Sequence, residues 1–173
     1  MKNQELEKRI QTEIVEFVYS RKSLLLSSIT QEGKPYASYA PFASGETSLY
    51  VLISEIAVHA VNLQNNPLAS VLIIEDEDVA SELFARQRVN YSVNSQLIDP
   101  GSQNWQQGID ILVDRHGERI NNLSSLTDFK LFKLIPTEGR YVKGFGRAYA
   151  FKGESLAGEL EHLRIGHKKK SAA

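Results

Sequence analysis

The chain has 173 residues, 42% of them hydrophobic and 24% charged, and its 20 Lys and Arg against 21 Asp and Glu leave a formal net charge of −1. That length suits one core of ordinary size, and the composition is too apolar for disorder and too evenly charged to give the basic field that collects nucleic-acid phosphates. The absence of cysteine excludes disulfides, thiolate zinc sites, iron–sulfur clusters, a cysteine nucleophile and thiolate or covalent haem attachment, so any metal must use His, Asp, Glu, Tyr or backbone groups.

The opening segment MKNQELEKRIQTEIVEF has no uninterrupted apolar stretch of the signal-peptide kind, and no later run approaches the roughly 18 apolar residues of a membrane span, so a cytoplasmic protein without membrane contact is expected. Leu6, Ile10, Ile14, Phe17 and Val18 recur at helical spacing and predict an amphipathic helix over 1–20. From Ser23 the period changes, and SLLLSSIT, PYASYAPF and TSLYVLIS read as three strands, the first two joined by a polar turn at Gly33. Ile56, Ala60 and Leu63 mark a short helix that Asn65, Asn66 and Pro67 stop, because proline cannot continue the ladder and disfavours helix for the residue before it.

LASVLIIED is a nearly continuous apolar strand, SELFARQRVNYSVNS another, and DPGSQNWQQGIDILVDRHGERINNL is mainly helical, with Trp105, Ile109, Leu112 and Val113 on one side. DFKLFKLIPTEGRYVKGFGRAYAF reads as a hairpin whose turn carries Pro136 and Gly139, and a final helix runs along Leu156, Leu160 and Leu163 until Gly166. No repeat or low-complexity linker divides the chain. The expectation is a single domain over 1–173, mainly β and antiparallel, a small barrel flanked by an N-terminal helix at 1–20 and a C-terminal helix and tail at 154–173.

The order of strand, helix ending NNP and apolar strand in YVLISEIAVHAVNLQNNPLASVLIIED resembles the FMN-binding split barrel of the pyridoxamine-phosphate-oxidase superfamily. RKSLLLSSITQEGKPYASYAPF, SELFARQR, TDFKLFKLIPTEGRYVKGFGRAYAF and the terminal HLRIGH look like its haem-utilisation branch, the HugZ and HutZ type of haem-binding and haem-degrading proteins. The resemblance covers nearly the whole chain. It implies a homodimer of split barrels with noncovalent haem in a cleft between subunits, an axial histidine matching His167, and a supporting aspartate across the interface matching Asp128. It also implies oxidative ring opening with an external electron donor.

Each matched residue has a plainer reading as well. A histidine this close to the C-terminus is ordinarily a surface residue, and Lys168, Lys169 and Lys170 beside it are ordinarily solvated charge, although they could attract propionates. Neutral imidazole is nonetheless a common proximal haem ligand, which makes His167 the candidate for the iron. His162, five positions earlier, would lie about 140° away on a continuous helix and reads as a helix-end residue. His59, on the stripe of Ile56 and Leu63, reads as a hydrogen-bonded structural histidine in preference to a pocket residue, and His116 as an exposed one. Arg86 and Arg88, two apart on the expected strand, would point the same way and form a cationic patch for carboxylate or phosphate, or else pair with Glu75, Asp76 or Glu82. The resemblance implies that Arg88 helps to hold haem or its distal ligand. For Asp128, a turn role between Thr127 and Phe129 competes with second-shell support of His167.

FMN is the less favoured cofactor. Proteins of this superfamily that bind FMN resemble one another in carrying Arg and Lys at the junction after the third strand, where this chain has Ser54 to His59, with Val58 and Val61 at the usual basic positions. A phosphate there would meet Glu55 and valines, with Arg21, Lys22 and Lys34 as possible substitutes. A porphyrin needs charge only at its propionates. No GxGxxG, P-loop, nucleophile elbow or HExxH occurs, and the GFG at Gly144 to Gly146 reads as a site of close backbone approach or a bulge. Three readings stay open: a haem-degrading oxygenase, a haem carrier or sensor without turnover, and a flavin-dependent oxidoreductase.

Overall fold

The computed structural model describes residues 2–163, and it is built almost wholly from antiparallel pairings. A first helix, α1 (Lys2–Ser20), leads into β1 (Ser23–Ile29), β2 (Pro35–Pro41), the short β3 (Ala43–Ser44) and β4 (Leu49–Ser54). Helix α2 (Val58–Asn65) precedes β5 (Leu68–Ile74), and an acidic loop with one 3-10 turn at Leu83–Ala85 leads into β6 (Arg88–Ile98). Helices α3 (Gln103–His116) and α4 (Arg119–Ser124) follow, then β7 (Phe129–Gly144), β8 (Arg147–Lys152) and β9 (Glu159–Leu163).

The strand order is β2-β1-β5-β6-β7-β4-β3, with β8 added to β7 and β9 to β8. The 16-residue β7 organises the molecule. One of its edges pairs with β6 along the full length of that strand, while the other divides, Phe129–Leu134 joining β4 and Glu138–Gly144 joining β8. The register shifts between Ser92 and Val93 of β6, the latter opposite Pro136. A bulge there accommodates a residue with no N–H to give to the ladder.

Two apolar clusters result. Inward residues such as Leu24, Leu26, Val51, Ile73, Tyr91, Phe132 and Tyr141 fill the barrel, closed by Ile10, Ile14, Phe17 and Val18 of α1. A second cluster joins the outward Tyr50, Leu52, Ile98 and Leu131 to Ile109, Leu112 and Ile120 of α3 and α4. Strand β4 therefore serves both clusters and is buried on both faces, the physical meaning of its unbroken apolar run YVLI. Arg115 fixes the end of α1 by donating to the carbonyls of Tyr19 and Arg21, both at 2.7 Å.

The structure corrects four expectations. Residues 159–163 form strand β9 paired with β8 instead of a C-terminal helix. The leucine spacing is helical, but Gly153 (φ 116°) turns the chain and Gly158 packs so tightly on the Lys152 carbonyl that no Cβ would fit, so the chain folds back as a ladder. Pro136 and Gly139 lie within β7, and the hairpin turn falls at Gly144–Phe145–Gly146, where Gly144 (φ 154°) and Gly146 (φ 67°) take conformations that L side chains rarely adopt. His162 belongs to β9, paired with Tyr149, and not to a helix end. His116 is half-buried, its Nε2 2.8 Å from the Phe42 carbonyl oxygen, and not exposed among charges.

Candidate functional site

Asp128 stands at the entrance to β7, where Ser54, the last residue of β4, pairs with Phe129. The chain turns sharply after Ser54, its carbonyl accepting from the Ala57 amide at 3.0 Å. Three bonds tie Asp128 and this turn together. The Glu55 amide donates to the Asp128 carbonyl at 2.7 Å, the Ser54 hydroxyl donates to Asp128 Oδ2 at 2.6 Å, and the Ile56 amide donates to Ser54 Oγ at 3.2 Å. Among the described residues, Asp128 Oδ1 has no hydrogen bond. The half-buried carboxylate is thus anchored by one oxygen and open at the other.

The junction that follows β4 has the chemistry its sequence implied. Glu55 is its charged group, 3.6 Å from Lys130 Nζ. Ile56, Val58 and Val61 are 88%, 46% and 41% exposed, an apolar rim running from the turn that Asp128 helps to fix into α2. Arg21 is engaged elsewhere, with Asp76 at 3.2 Å, and Lys34 pairs with Glu32 at 2.6 Å. Among the described residues of this junction, Lys130 is the cation, and it is paired with Glu55. His59 of α2 has Nδ1 2.9 Å from Ser38 Oγ, and burial holds its pKa below the ordinary imidazole value.

Arg86 and Arg88 do not form the expected patch. Arg86 precedes β6 and directs its guanidinium at the Glu75 carbonyl, while Arg88 Nη1 donates to the Arg86 carbonyl at 2.9 Å. Both guanidinium groups brace the acidic loop, through backbone oxygens instead of the carboxylates considered from sequence, because the loop must return the chain from Ile74 to the paired Arg88. A cleft of about 480 Å3 beside them is walled by Glu13, Glu16, Glu75, Arg21 and Lys143 and contains neither Arg88 nor Asp128.

The register also separates the candidates. Arg88 pairs with Val142, and Val142 with Ala148, which pairs with Leu163. Arg88 and the end of β9 therefore share one transverse row, three strand spacings of about 4.8 Å apart. Asp128 lies 14 positions before Val142, roughly 45 Å along the strand path at about 3.3 Å per residue. His167 lies outside the described residues, four positions beyond Leu163. Sequence reasoning missed Ser54, since nothing in a serine 74 positions from Asp128 signals a partnership. It also missed the exposed apolar Leu25, Tyr39 and Leu68 on the outer sheet face, where Leu25 faces Tyr39 on one side and Leu72 on the other.

With this geometry, residues 10–143 match the pyridoxamine 5'-phosphate oxidase family, and the chain belongs to that family. Within it, the chain is 43% identical over 169 residues to the heme oxygenase HutZ of Vibrio cholerae, spanning 98% of this chain and 96% of that one. The crystal structure of Vibrio cholerae HutZ, described as a heme storage protein, aligns with a TM-score of 0.69 at 44% identity, over 72% of this chain and 88% of that one. Campylobacter jejuni ChuZ aligns with a TM-score of 0.80 at 30% identity, over 94% of this chain and 66% of that longer one. The antiparallel, mainly β barrel with flanking helices is thus the family fold.

Proposed function

We propose that the protein is a homodimer that binds noncovalent haem between its subunits and opens the ring oxidatively with an external electron donor. The observation that carries this reading is the near-full-length likeness to a protein named heme oxygenase. The local chemistry agrees with it. The rim of Ile56, Val58 and Val61 suits a porphyrin better than the phosphate of FMN, and Asp128 Oδ1 is free to accept from an imidazole N–H.

In this reading His167 is the axial ligand of the haem iron, and Asp128 of the opposite subunit accepts from its second ring nitrogen. The topology supports the crossing. Leu163, four positions before His167, ends β9 in the Arg88 row, while Asp128 of the same chain stands at the other end of β7. A two-fold dimer that packs the sheets antiparallel brings one subunit's Asp128 to the other's tail, and the exposed Leu25, Tyr39 and Leu68 supply apolar surface for such packing. Bound haem supplies the chemistry of oxygen activation. Asp128 orients the histidine and keeps its proton on the nitrogen away from iron, which raises the ligand's basicity. The apolar rim excludes water, and Arg88, at the end of the sheet from which the tail leaves, contributes positive charge there.

Hemin added to purified protein is expected to give a Soret band that decays into bilin absorbance when ascorbate is added. A Soret band that persists would favour the second reading, storage without turnover, which the description of the HutZ crystal structure favours. No Soret band at all would remove haem.

A further inference from the structure

Resting on the reading that Asp128 supports His167, we infer that Ser54 is a positioning residue that sets the direction and strength of that support. Ser54 has a hydroxyl whose roles are fixed by its surroundings. The Ile56 amide, 3.2 Å away, occupies an acceptor position of Oγ, and Asp128 Oδ2, at 2.6 Å, can only accept, so the hydroxyl proton is committed to the carboxylate. A hydroxyl donor to an ionised acceptor is a short, charge-assisted bond, and this one selects which carboxylate oxygen is spent inside the subunit.

The backbone on both sides removes the remaining freedom. Asp128 is held at its carbonyl by the Glu55 amide at 2.7 Å, and Ser54 at its carbonyl by the Ala57 amide at 3.0 Å. With the main chains pinned, the side-chain torsion of Asp128 is the degree of freedom left, and the Ser54 hydroxyl closes it. Oδ1 is thereby the oxygen left to accept, with no competing donor among the described residues. Without the hydroxyl, Asp128 can turn, and its bond to an incoming imidazole N–H loses alignment and weakens. Ser54 touches neither ligand nor iron; it acts through Asp128.

The test compares Ser54→Ala, Ser54→Thr and Asp128→Asn, each loaded with hemin, reduced, and read by the iron–histidine stretching band in resonance Raman spectra. Ser54→Ala is expected to bind hemin within about twofold of the parent and to shift the band down, in the same direction as Asp128→Asn and by less. Ser54→Thr, which keeps the hydroxyl, is expected to restore the parent frequency. An unshifted or upward-shifted band in Ser54→Ala, with Asp128→Asn shifted down, would overturn the role of Ser54. If Asp128→Asn itself leaves the band unmoved, the support of His167 by Asp128 is refuted instead. The crystal structure of haem-free Ser54→Ala then judges Ser54 separately: a turned carboxylate supports its hold on Asp128, and an unmoved one overturns it.

Discussion

Mixed dimers give the sharpest test of the crossed site. Within one subunit Asp128 and the Arg88 row are separated by 14 residues of continuous strand, and the tail adds a reach of only about 14 Å beyond Leu163. In the proposed dimer each site takes its aspartate from one chain and its histidine from the other. Co-expression of His167→Ala and Asp128→Asn chains under different tags gives, by random assembly, about half mixed dimers, each with one doubly defective site and one intact site. About a quarter of all sites should then be native, and in tag-selected mixed dimers about half. Neither parent variant has any, the first lacking the ligand and the second carrying an altered one. Resonance Raman spectra of the reduced haem form should show the native iron–histidine frequency in the mixed dimers only. Its absence from purified mixed dimers would refute the crossed arrangement.

Val58→Arg combined with Val61→Lys should leave the fold intact, since both positions are substantially exposed and surface changes usually stay within about 0.5 kcal/mol. Flavin fluorescence should show tighter FMN binding than in the parent, and unchanged weak binding would mean that the missing clamp does not set the cofactor. Tyr91 is fully buried and donates to the Leu156 carbonyl at 2.7 Å, so Tyr91→Phe leaves that carbonyl unpaired. Calorimetry should show a loss of about 1 to 2 kcal/mol, or roughly 2 to 8 °C in Tm; an unchanged Tm would count against the bond. Burial lowers the pKa of His59 below its ordinary 6.5, so the unfolded chain takes up this proton first. Its contribution to stability is present above pH 6.5 and is lost as the pH falls from there toward the folded value. His59→Gln should flatten that part of the urea-melt profile, and identical slopes in the two proteins would refute the assignment.

Most of the strands are legible in local pattern, because burial on one face writes the alternation of Val89, Tyr91 and Val93 into β6 and burial on both faces writes the apolar run of β4. The sequence by itself determined α1 and the end of α2 for similar local reasons, an amphipathic stripe in one and Asn66-Pro67 in the other. It determined the family and the residues to suspect, since these depend on residue type and order. Elsewhere packing and register outvoted local preference. The leucines at 156, 160 and 163 have helical spacing, yet β8 offers them an open edge. Pro136 and Gly139 carry turn chemistry, yet β6 continues past them and a bulge absorbs the proline. Arg86 and Arg88 seemed a patch because two-residue spacing implies one face of a strand, but the strand begins only at Arg88. The bond between Ser54 and Asp128, and the placing of Asp128 and Arg88 at opposite ends of β7, follow from strand register alone, which joins residues far apart in the chain and leaves no trace in either local segment.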